Sequence, residues 1–243
     1  MIEQLIRKTL PGVFVTLGLF ALAGTVQAGP ITFNFQNSGA DTPEGVEGVD
    51  FTTGGTCNDT SITNIDICET GSGLDYLKSG LSLNVTASNT NDPVDAFLMQ
   101  DLAPDNSGLA VITKGDTSSD DQVQVATGES ILFSFGREVN LLGFDFNNGA
   151  DLNCNSTDTS EGDCGYYDLF VDGALTAVGN FEALDDYSFS TDIIGTTFRV
   201  VHTGPSDGGF AIGSVTVEVP EPGTLALLGL GLAGLGLARR RKA

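Results

Sequence analysis

The sequence predicts an all-β fold, a two-sheet antiparallel sandwich with jelly-roll connectivity. From residue 31 onward, short runs rich in β-branched and aromatic residues alternate with Gly, Asn, Asp and Ser, a spacing typical of sandwiches. Apolar residues within the runs recur at every second position, and no stretch of this region keeps a helical period over three turns. The clearest cases are Ile131, Phe133 and Phe135 in SILFSF, and Leu142, Phe144 and Phe146 in LLGFDF.

Residues 1–28 have the features of a secretory signal peptide. Arg7 and Lys8 precede an apolar stretch from about Leu10 to Ala23, and small residues follow up to Ala28. We expect cleavage after Ala28, so that the mature chain begins at Gly29. The alternative is a permanent anchor helix, which the shortness of the apolar stretch and its internal Pro-Gly pair disfavour.

Residues 29–218 are predicted to form one β-sandwich domain. The chain contains 15 Phe together with many Val, Ile and Leu, enough for a core of this size. The stretch from Gly39 to Asp75 is the least regular, and we expect it to be rich in loops. The region from Gly29 to Pro220 carries 30 acidic and four basic residues, a net charge of −26. This charge excludes nucleic acid and anionic membrane surfaces as partners, leaving neutral glycans, cations, basic proteins or solvation alone.

Four cysteines lie in the exported region, where oxidising conditions favour disulfides. They form two close pairs in the sequence, so we predict the disulfides Cys57–Cys68 and Cys154–Cys164 among the three possible connectivities. A zinc site is the rival interpretation. The chain offers neither a C-x-x-C motif nor a second histidine for it.

One acidic loop is a candidate calcium site, and calcium is the one cofactor that the sequence suggests. The candidate ligands are the oxygen-bearing residues Asp151, Asn153, Asn155, Asp158 and Asp163. The loop departs from an EF-hand, because Ser156 stands at the sixth position and Gly162 at the twelfth, where Gly and Glu are required. A solvated polar loop without a metal is the alternative.

The C-terminal tail, residues 219–243, has three parts. Pro220-Glu221-Pro222 comes first, Thr224 to Ala238 form an apolar run of 15 residues, and the cations Arg239, Arg240, Arg241 and Lys242 follow. As a helix the run spans about 22 Å, less than the roughly 30 Å core of a bilayer, which favours a temporary anchor. The cations hold this end on the cytoplasmic side. The alternative is a tail anchor that persists.

This tail resembles the PEP-CTERM sorting signal of Gram-negative bacteria. The resemblance implies export by the Sec machinery, removal of the signal peptide by signal peptidase and transient anchoring in the inner membrane. It further implies cleavage near Pro-Glu-Pro by exosortase, thought to act as a cysteine-type transpeptidase, and delivery to the cell surface or extracellular matrix. Hosts of this system typically make exopolysaccharide. The stretch 108–219 also resembles the β-sandwich ectodomains that commonly precede the signal, although Gly213 stands where they often carry Asp.

The sequence predicts no catalytic residue. Residues 204–208, Gly-Pro-Ser-Asp-Gly, fit G-x-S-x-G, but the surrounding pattern predicts strand, turn and strand rather than a nucleophile elbow, and His202, the one histidine, is too near in sequence. Together with the resemblance of the tail, this implies a non-enzymatic surface or matrix protein associated with exopolysaccharide. The alternatives are an extracellular hydrolase with a carboxylate site, and a purely structural surface protein without a ligand.

Tyrosines are the candidates for a sugar-binding platform, because the chain has no Trp. The four are Tyr76, Tyr166, Tyr167 and Tyr187. Tyr166 and Tyr167 are adjacent on a predicted strand, so one should face the core and the other the solvent. Packing in the core is the default expectation for Tyr166 and Tyr167.

Overall fold

The computed structural model describes strands within one compact unit, Gly29–Val219. The described residues are 29–36, 67–69, 73–89, 96–101, 108–113, 123–124, 128–147, 164–176, 181–183, 186–203, 209–220 and 231. The predicted signal peptide and C-terminal apolar helix lie outside these ranges, apart from Gly231. Within the described ranges, no helix is long and apolar enough to cross a membrane.

The elements described in this unit are all β-strands, which confirms the all-β prediction. In chain order they are β1 Ile31–Asn34, β2 Ile67–Glu69, β3 Leu74–Lys78, β4 Leu81–Asn89, β5 Ala96–Asp101, β6 Gly108–Thr113, β7 Val123–Gln124, β8 Glu129–Asn147, β9 Tyr166–Val171, β10 Ala174–Leu175, β11 Phe181–Glu182, β12 Tyr187–Ser188, β13 Ile194–His202 and β14 Gly209–Glu218.

The described strands form one continuous antiparallel sheet rather than the two separate sheets that the sequence predicts. Its main path is β10-β9-β13-β8-β14-β6-β5-β2, and the other strands join this path through β14, β9, β8 and β4. β8 is the reason for the difference. Its first half pairs with β4 and β13 and its second half pairs with β14, so both groups of strands stay hydrogen-bonded to one another.

β8 unites two runs that the sequence pattern separates, SILFSF and NLLGFDF. Ser134 pairs with Thr197 and Val139 pairs with Gly195, so four residues of β8 lie opposite one residue of β13. The intervening Gly136, Arg137 and Glu138 are exposed. Such a bulge lets a strand bend and continue, so the glycine does not end the strand.

The alternation of buried residues along β8 agrees with the prediction in one half and departs from it in the other. Ile131, Phe133 and Phe135 are all buried, as expected. In the second half Phe144 and Phe146 are buried, but Leu141 takes the core position and Leu142 is half-buried. Gly143 and Leu141 pair with the consecutive residues Thr216 and Val217, so Leu142 is an extra residue that reverses the alternation.

The core lies where the sheet folds back on itself. The backbone of β1 pairs with β14, yet Phe33 and Phe35 of β1 contact Phe135 and Phe133 of β8 through their rings, with centroids 6.1 and 6.2 Å apart. β1 and the first half of β8 thus contact each other through side chains across the core, and their backbones are not paired. Aromatic pairs at such distances stabilise a core beyond the area that they bury.

A buried polar chain crosses this aromatic core. The Tyr76 hydroxyl donates to Gln100 Oε1 at 2.9 Å, and Gln100 Nε2 donates to the Phe35 carbonyl oxygen at 3.0 Å. The chain joins β3 and β5 to the residue that follows β1. Because each buried group in it has a partner, it can specify how these segments pack without a large desolvation cost.

Candidate functional site

The sheet ends directly before the predicted sorting signal. β14 ends at Glu218, Val219 is buried with 7% exposure, and Pro220 is exposed. The other predicted residues of the signal, Glu221, Pro222, Arg239, Arg240 and Arg241, lie outside the described residues. A single buried residue therefore separates the last strand from the Pro-Glu-Pro triplet.

The predicted signal-peptide cleavage point lies at the same end of the sheet. Gly29 is exposed, and Ala28 lies outside the described residues. β1 begins two residues after Gly29, and its first residue, Ile31, pairs with Val217 of β14. The predicted mature N-terminus and the start of the sorting signal thus extend from neighbouring, paired strands.

A second surface of interest lies on the side of the sheet that faces away from the core. Strand pairing places five side chains in one line across β10, β9, β13, β8 and β4. We call this line the outer row; its members are Leu175, Phe170, Arg199, Leu132 and Thr86. Since neighbouring strands are roughly 4.8 Å apart, the row is about 19 Å long.

The outer row combines apolar surface with a cation. Leu175 is 51% exposed, and Phe170, Arg199 and Leu132 are half-buried. Tyr166, which is 39% exposed, lies on the same face four residues before Phe170 along the chain. The Arg199 guanidinium carbon lies 4.3 Å from the centroid of the Phe170 ring, a cation–π contact.

The β9–β10 hairpin that carries Phe170 and Leu175 is held by its turn. Asp172 and Gly173 have positive φ angles of 47° and 83°, as a two-residue Asp-Gly hairpin turn requires. Asp172 Oδ1 accepts hydrogen bonds from the backbone N–H groups of Thr197 and Thr196, each at 2.9 Å, and from the Thr196 hydroxyl. These bonds, the one from Thr197 N–H first, lower the pKa of the Asp172 carboxyl and tie the turn to β13.

The residues that follow β14 match a known motif. Residues 218–242 match the PEP-CTERM protein-sorting motif. The predicted resemblance is thereby confirmed, and the match begins at the residue where β14 ends. A PEP-CTERM motif implies an exported protein that exosortase recognises, with transient membrane anchoring before surface display.

A comparison of this chain with solved structures found one similar protein. The family 32 carbohydrate-binding module from C. perfringens NanJ, solved in complex with galactose, is similar at 15% identity with a TM-score of 0.28, covering 57% of this chain and 93% of that chain. A comparison with curated proteins found no match.

The cysteines of this chain are described only in part. Cys164 is buried and disulfide-bonded. Cys68 lies in β2, whose backbone alone is described, and Cys57 and Cys154 lie outside the described residues. The pairings Cys57–Cys68 and Cys154–Cys164 therefore stay predictions.

His202 is a core residue of β13. Its Nε2 donates to the carbonyl oxygen of Cys164 at 3.0 Å, and its ring lies 5.2 Å from that of Phe210. The segment Gly204–Gly208 lies outside the described residues but is flanked by the strands β13 and β14, as predicted. Within the described part, the position of His202 is thus accounted for by packing and by a backbone hydrogen bond.

The candidate calcium ligands Asp151, Asn153, Asn155, Asp158 and Asp163 lie outside the described residues, so that site stays a prediction. Among the described residues, no group of three or more His, Cys, Asp or Glu side chains could hold a metal ion.

Gly213 lies opposite a cluster of polar side chains. Gln36 Nε2 donates to Asp145 Oδ2 at 2.9 Å, and Asn147 Nδ2 donates to Gln36 Oε1 at 2.6 Å. A Cβ at position 213 would lie 2.7 Å from Gln36 Oε1 and 2.8 Å from Asn147 Nδ2. Here the space beside residue 213 is filled by Gln36 and Asn147, so an Asp at this position would have to displace them.

The tyrosines separate as predicted. Tyr167 is buried and Tyr166 is exposed, which confirms the expectation for this adjacent pair, and Tyr76 is buried as well. Burial raises the pKa of both buried phenols well above their usual range, and the neighbouring Tyr187 adds to the effect at Tyr167. Burial also raises the pKa of Tyr187, which is half-buried. Of the four tyrosines, Tyr166 is therefore the one that presents a ring to solvent.

The outer row cannot be identified from the sequence alone. Alternation along FRVV and DLFV indicates that Arg199 and Phe170 each lie on an outward face. No local signal shows that β9 and β13 are neighbours in this register.

Proposed function

We propose that this PEP-CTERM protein is a non-enzymatic component of the cell surface or extracellular matrix of a Gram-negative bacterium, and that its β domain associates with exopolysaccharide. The observation that carries the proposal is the sorting motif that begins where the sheet ends. Because one buried residue separates β14 from the triplet, processing there would leave the folded domain almost without a C-terminal linker.

Mass spectrometry of the protein from its native host, fractionated into membrane, surface and medium, tests the sorting part. We expect a chain that begins near Gly29 and ends between Pro220 and Pro222, recovered from the surface or medium. A variant with Ala at Pro220, Glu221 and Pro222 should keep its tail and stay with the membrane. Finding Arg239 to Lys242 on the mature wild-type protein in the membrane fraction would show that the anchor is permanent.

Two assays test the remaining parts. Co-sedimentation with exopolysaccharide extracted from the native host should retain the mature protein, and loss of the protein to the supernatant would contradict the association. Incubation with the same polymer should release no new reducing ends. Release of reducing ends in proportion to protein concentration would support the hydrolase alternative instead.

A further inference from the structure

The cation of the outer row has an unusual environment for this chain. The region from Gly29 to Pro220 holds 30 acidic residues against four basic ones, so most cations would be expected to find a carboxylate. Within the described part of the chain, the one side-chain interaction of Arg199 is its contact with the Phe170 ring. Its guanidinium group is thus oriented by the ring, while its N–H groups donate to no described protein atom.

The direct cross-strand neighbours of Arg199 on the outer face are apolar, and one acidic residue, Asp168, lies on the same face two residues before Phe170. Leu132 and Phe170 flank it in the outer row, and in the next line Thr197 pairs with Ser134, which pairs with Asn84. Sugars present apolar C–H faces and many hydroxyl groups. A row of apolar side chains that are half-buried or exposed, a planar set of N–H donors and adjacent hydroxyl groups complements both features.

Charge decides which class of polysaccharide fits. A domain with a net charge of −26 repels a long anionic polymer, and a single cation offsets little of that repulsion. A neutral polymer bears no such cost. An extended chain of neutral sugars could lie along the 19 Å or so of the row, at right angles to the strands.

We propose that the outer row, with Tyr166 beside it, binds a neutral polysaccharide chain, and that Arg199 is the residue that donates hydrogen bonds to its hydroxyl groups. This inference deepens the proposed association with exopolysaccharide and rests on it. Because the Phe170 ring already holds the Arg199 side chain, little conformational entropy remains to be lost on binding.

Affinity electrophoresis of the full mature protein tests the proposal, using gels that contain exopolysaccharide from the native host, neutral dextran, or anionic alginate. Arg199→Ala should weaken binding to the native polymer about tenfold or more, as truncation of a central contact residue does. Arg199→Lys, which keeps the charge but loses the planar donors, should weaken it as well. The matched control is Arg137→Ala, which removes one cation from the exposed bulge of β8, outside the outer row.

A second variant distinguishes loss of binding from loss of folding. Leu175→Ser changes an exposed residue at the end of the row and should also weaken binding, while the urea unfolding midpoint stays near that of the wild type. Sedimentation velocity of the same proteins should show no change in mass. Dimers that dissociate in both Leu175→Ser and Arg199→Ala would identify the row as a contact between copies of the chain and overturn the proposal.

The outcomes distinguish failure of the proposed association from failure of the outer row as its binding surface. Wild-type protein that binds none of the three polymers contradicts the proposed association itself. Wild-type binding that Arg199→Ala and Arg137→Ala reduce equally, or not at all, leaves the association intact and overturns the assignment of the outer row. Tighter binding to alginate than to the native polymer and dextran overturns the choice of a neutral ligand.

Discussion

Ile31, at the start of β1, pairs with Val217, next to last in β14. In the same register the hydroxyls of Thr32 and Thr216 lie 2.9 Å apart, although the residues are separated by 184 positions. β1 can therefore pair with β14 only after almost the whole domain has been synthesised. Pairing of such sequence-distant segments is entropically costly, so packing of β1 must supply much of the compensation.

Phe33→Ala should reveal that compensation. The Phe33 ring is fully buried against Phe135, and truncation of such a ring lowers the free energy of unfolding by about 3–5 kcal/mol. Thr32→Ala, which removes an exposed hydroxyl contact on the same strand, should lower it by less than about 1 kcal/mol. Urea unfolding followed by circular dichroism measures both. Equal losses for the two variants would contradict a packing role for β1.

The buried tyrosines Tyr76 and Tyr167 should respond differently to loss of the hydroxyl. Tyr76→Phe leaves Gln100 Oε1 without its donor, so we expect a loss of about 1–3 kcal/mol in unfolding free energy. The Tyr167 hydroxyl is buried and has no hydrogen-bond partner in the described structure, so Tyr167→Phe should be neutral or stabilising. Urea midpoints for the two variants provide the comparison. A loss at Tyr167 as large as that at Tyr76 would show that its hydroxyl is bonded in solution.

Gly213→Ala should disturb the polar cluster beside β14. The added Cβ falls within 3.0 Å of three polar side-chain atoms, so the bonds between Gln36, Asp145 and Asn147 must lengthen or break. We expect a loss of about 1–2 kcal/mol, in proportion to the hydrogen bonds affected. Gln36→Ala removes one of the atoms that the new Cβ would meet. The double variant Gly213→Ala/Gln36→Ala should therefore lose less unfolding free energy than the sum of the losses in the two single variants. Strict additivity in unfolding measurements would argue against the clash.

Asp172→Asn should change stability in a pH-dependent way. Hydrogen bonds from Thr197 and Thr196 lower the pKa of Asp172 in the folded state, so its carboxylate stabilises the fold above the ordinary Asp pKa of about 3.9. This stabilisation is lost as the pH falls through the lowered pKa. The variant should therefore be less stable than the wild type near neutral pH, and the difference should shrink in acid.

Unfolding midpoints measured across that pH range provide the test for Asp172. Asp186→Asn, in another exposed turn with positive φ, controls for the loss of one negative charge from the domain. A gap between wild type and Asp172→Asn that is the same at neutral and acidic pH would contradict the role assigned to the carboxylate.

Local pattern predicted much of what the described residues show. Alternation alone predicts that Ile131, Phe133 and Phe135 share one face, and the same rule predicts the opposite orientations of Tyr166 and Tyr167; the structure confirms both. The prediction that Leu142 shares the face of Phe144 and Phe146 is wrong. Its bulge depends on how β14 pairs with β8, and a bulge leaves no period in the sequence of its own strand.

The sequence by itself determined the all-β class and the sorting motif, because strand alternation and the three-part tail are local patterns of residues that lie close together along the chain. Only the tertiary structure decided that β8 joins all the described strands into one sheet, that β1 pairs with β14, and that Arg199 lies on Phe170. Each of these depends on which distant strands become neighbours and in what register. That choice is made by packing over the whole domain, so no short stretch of the chain encodes it.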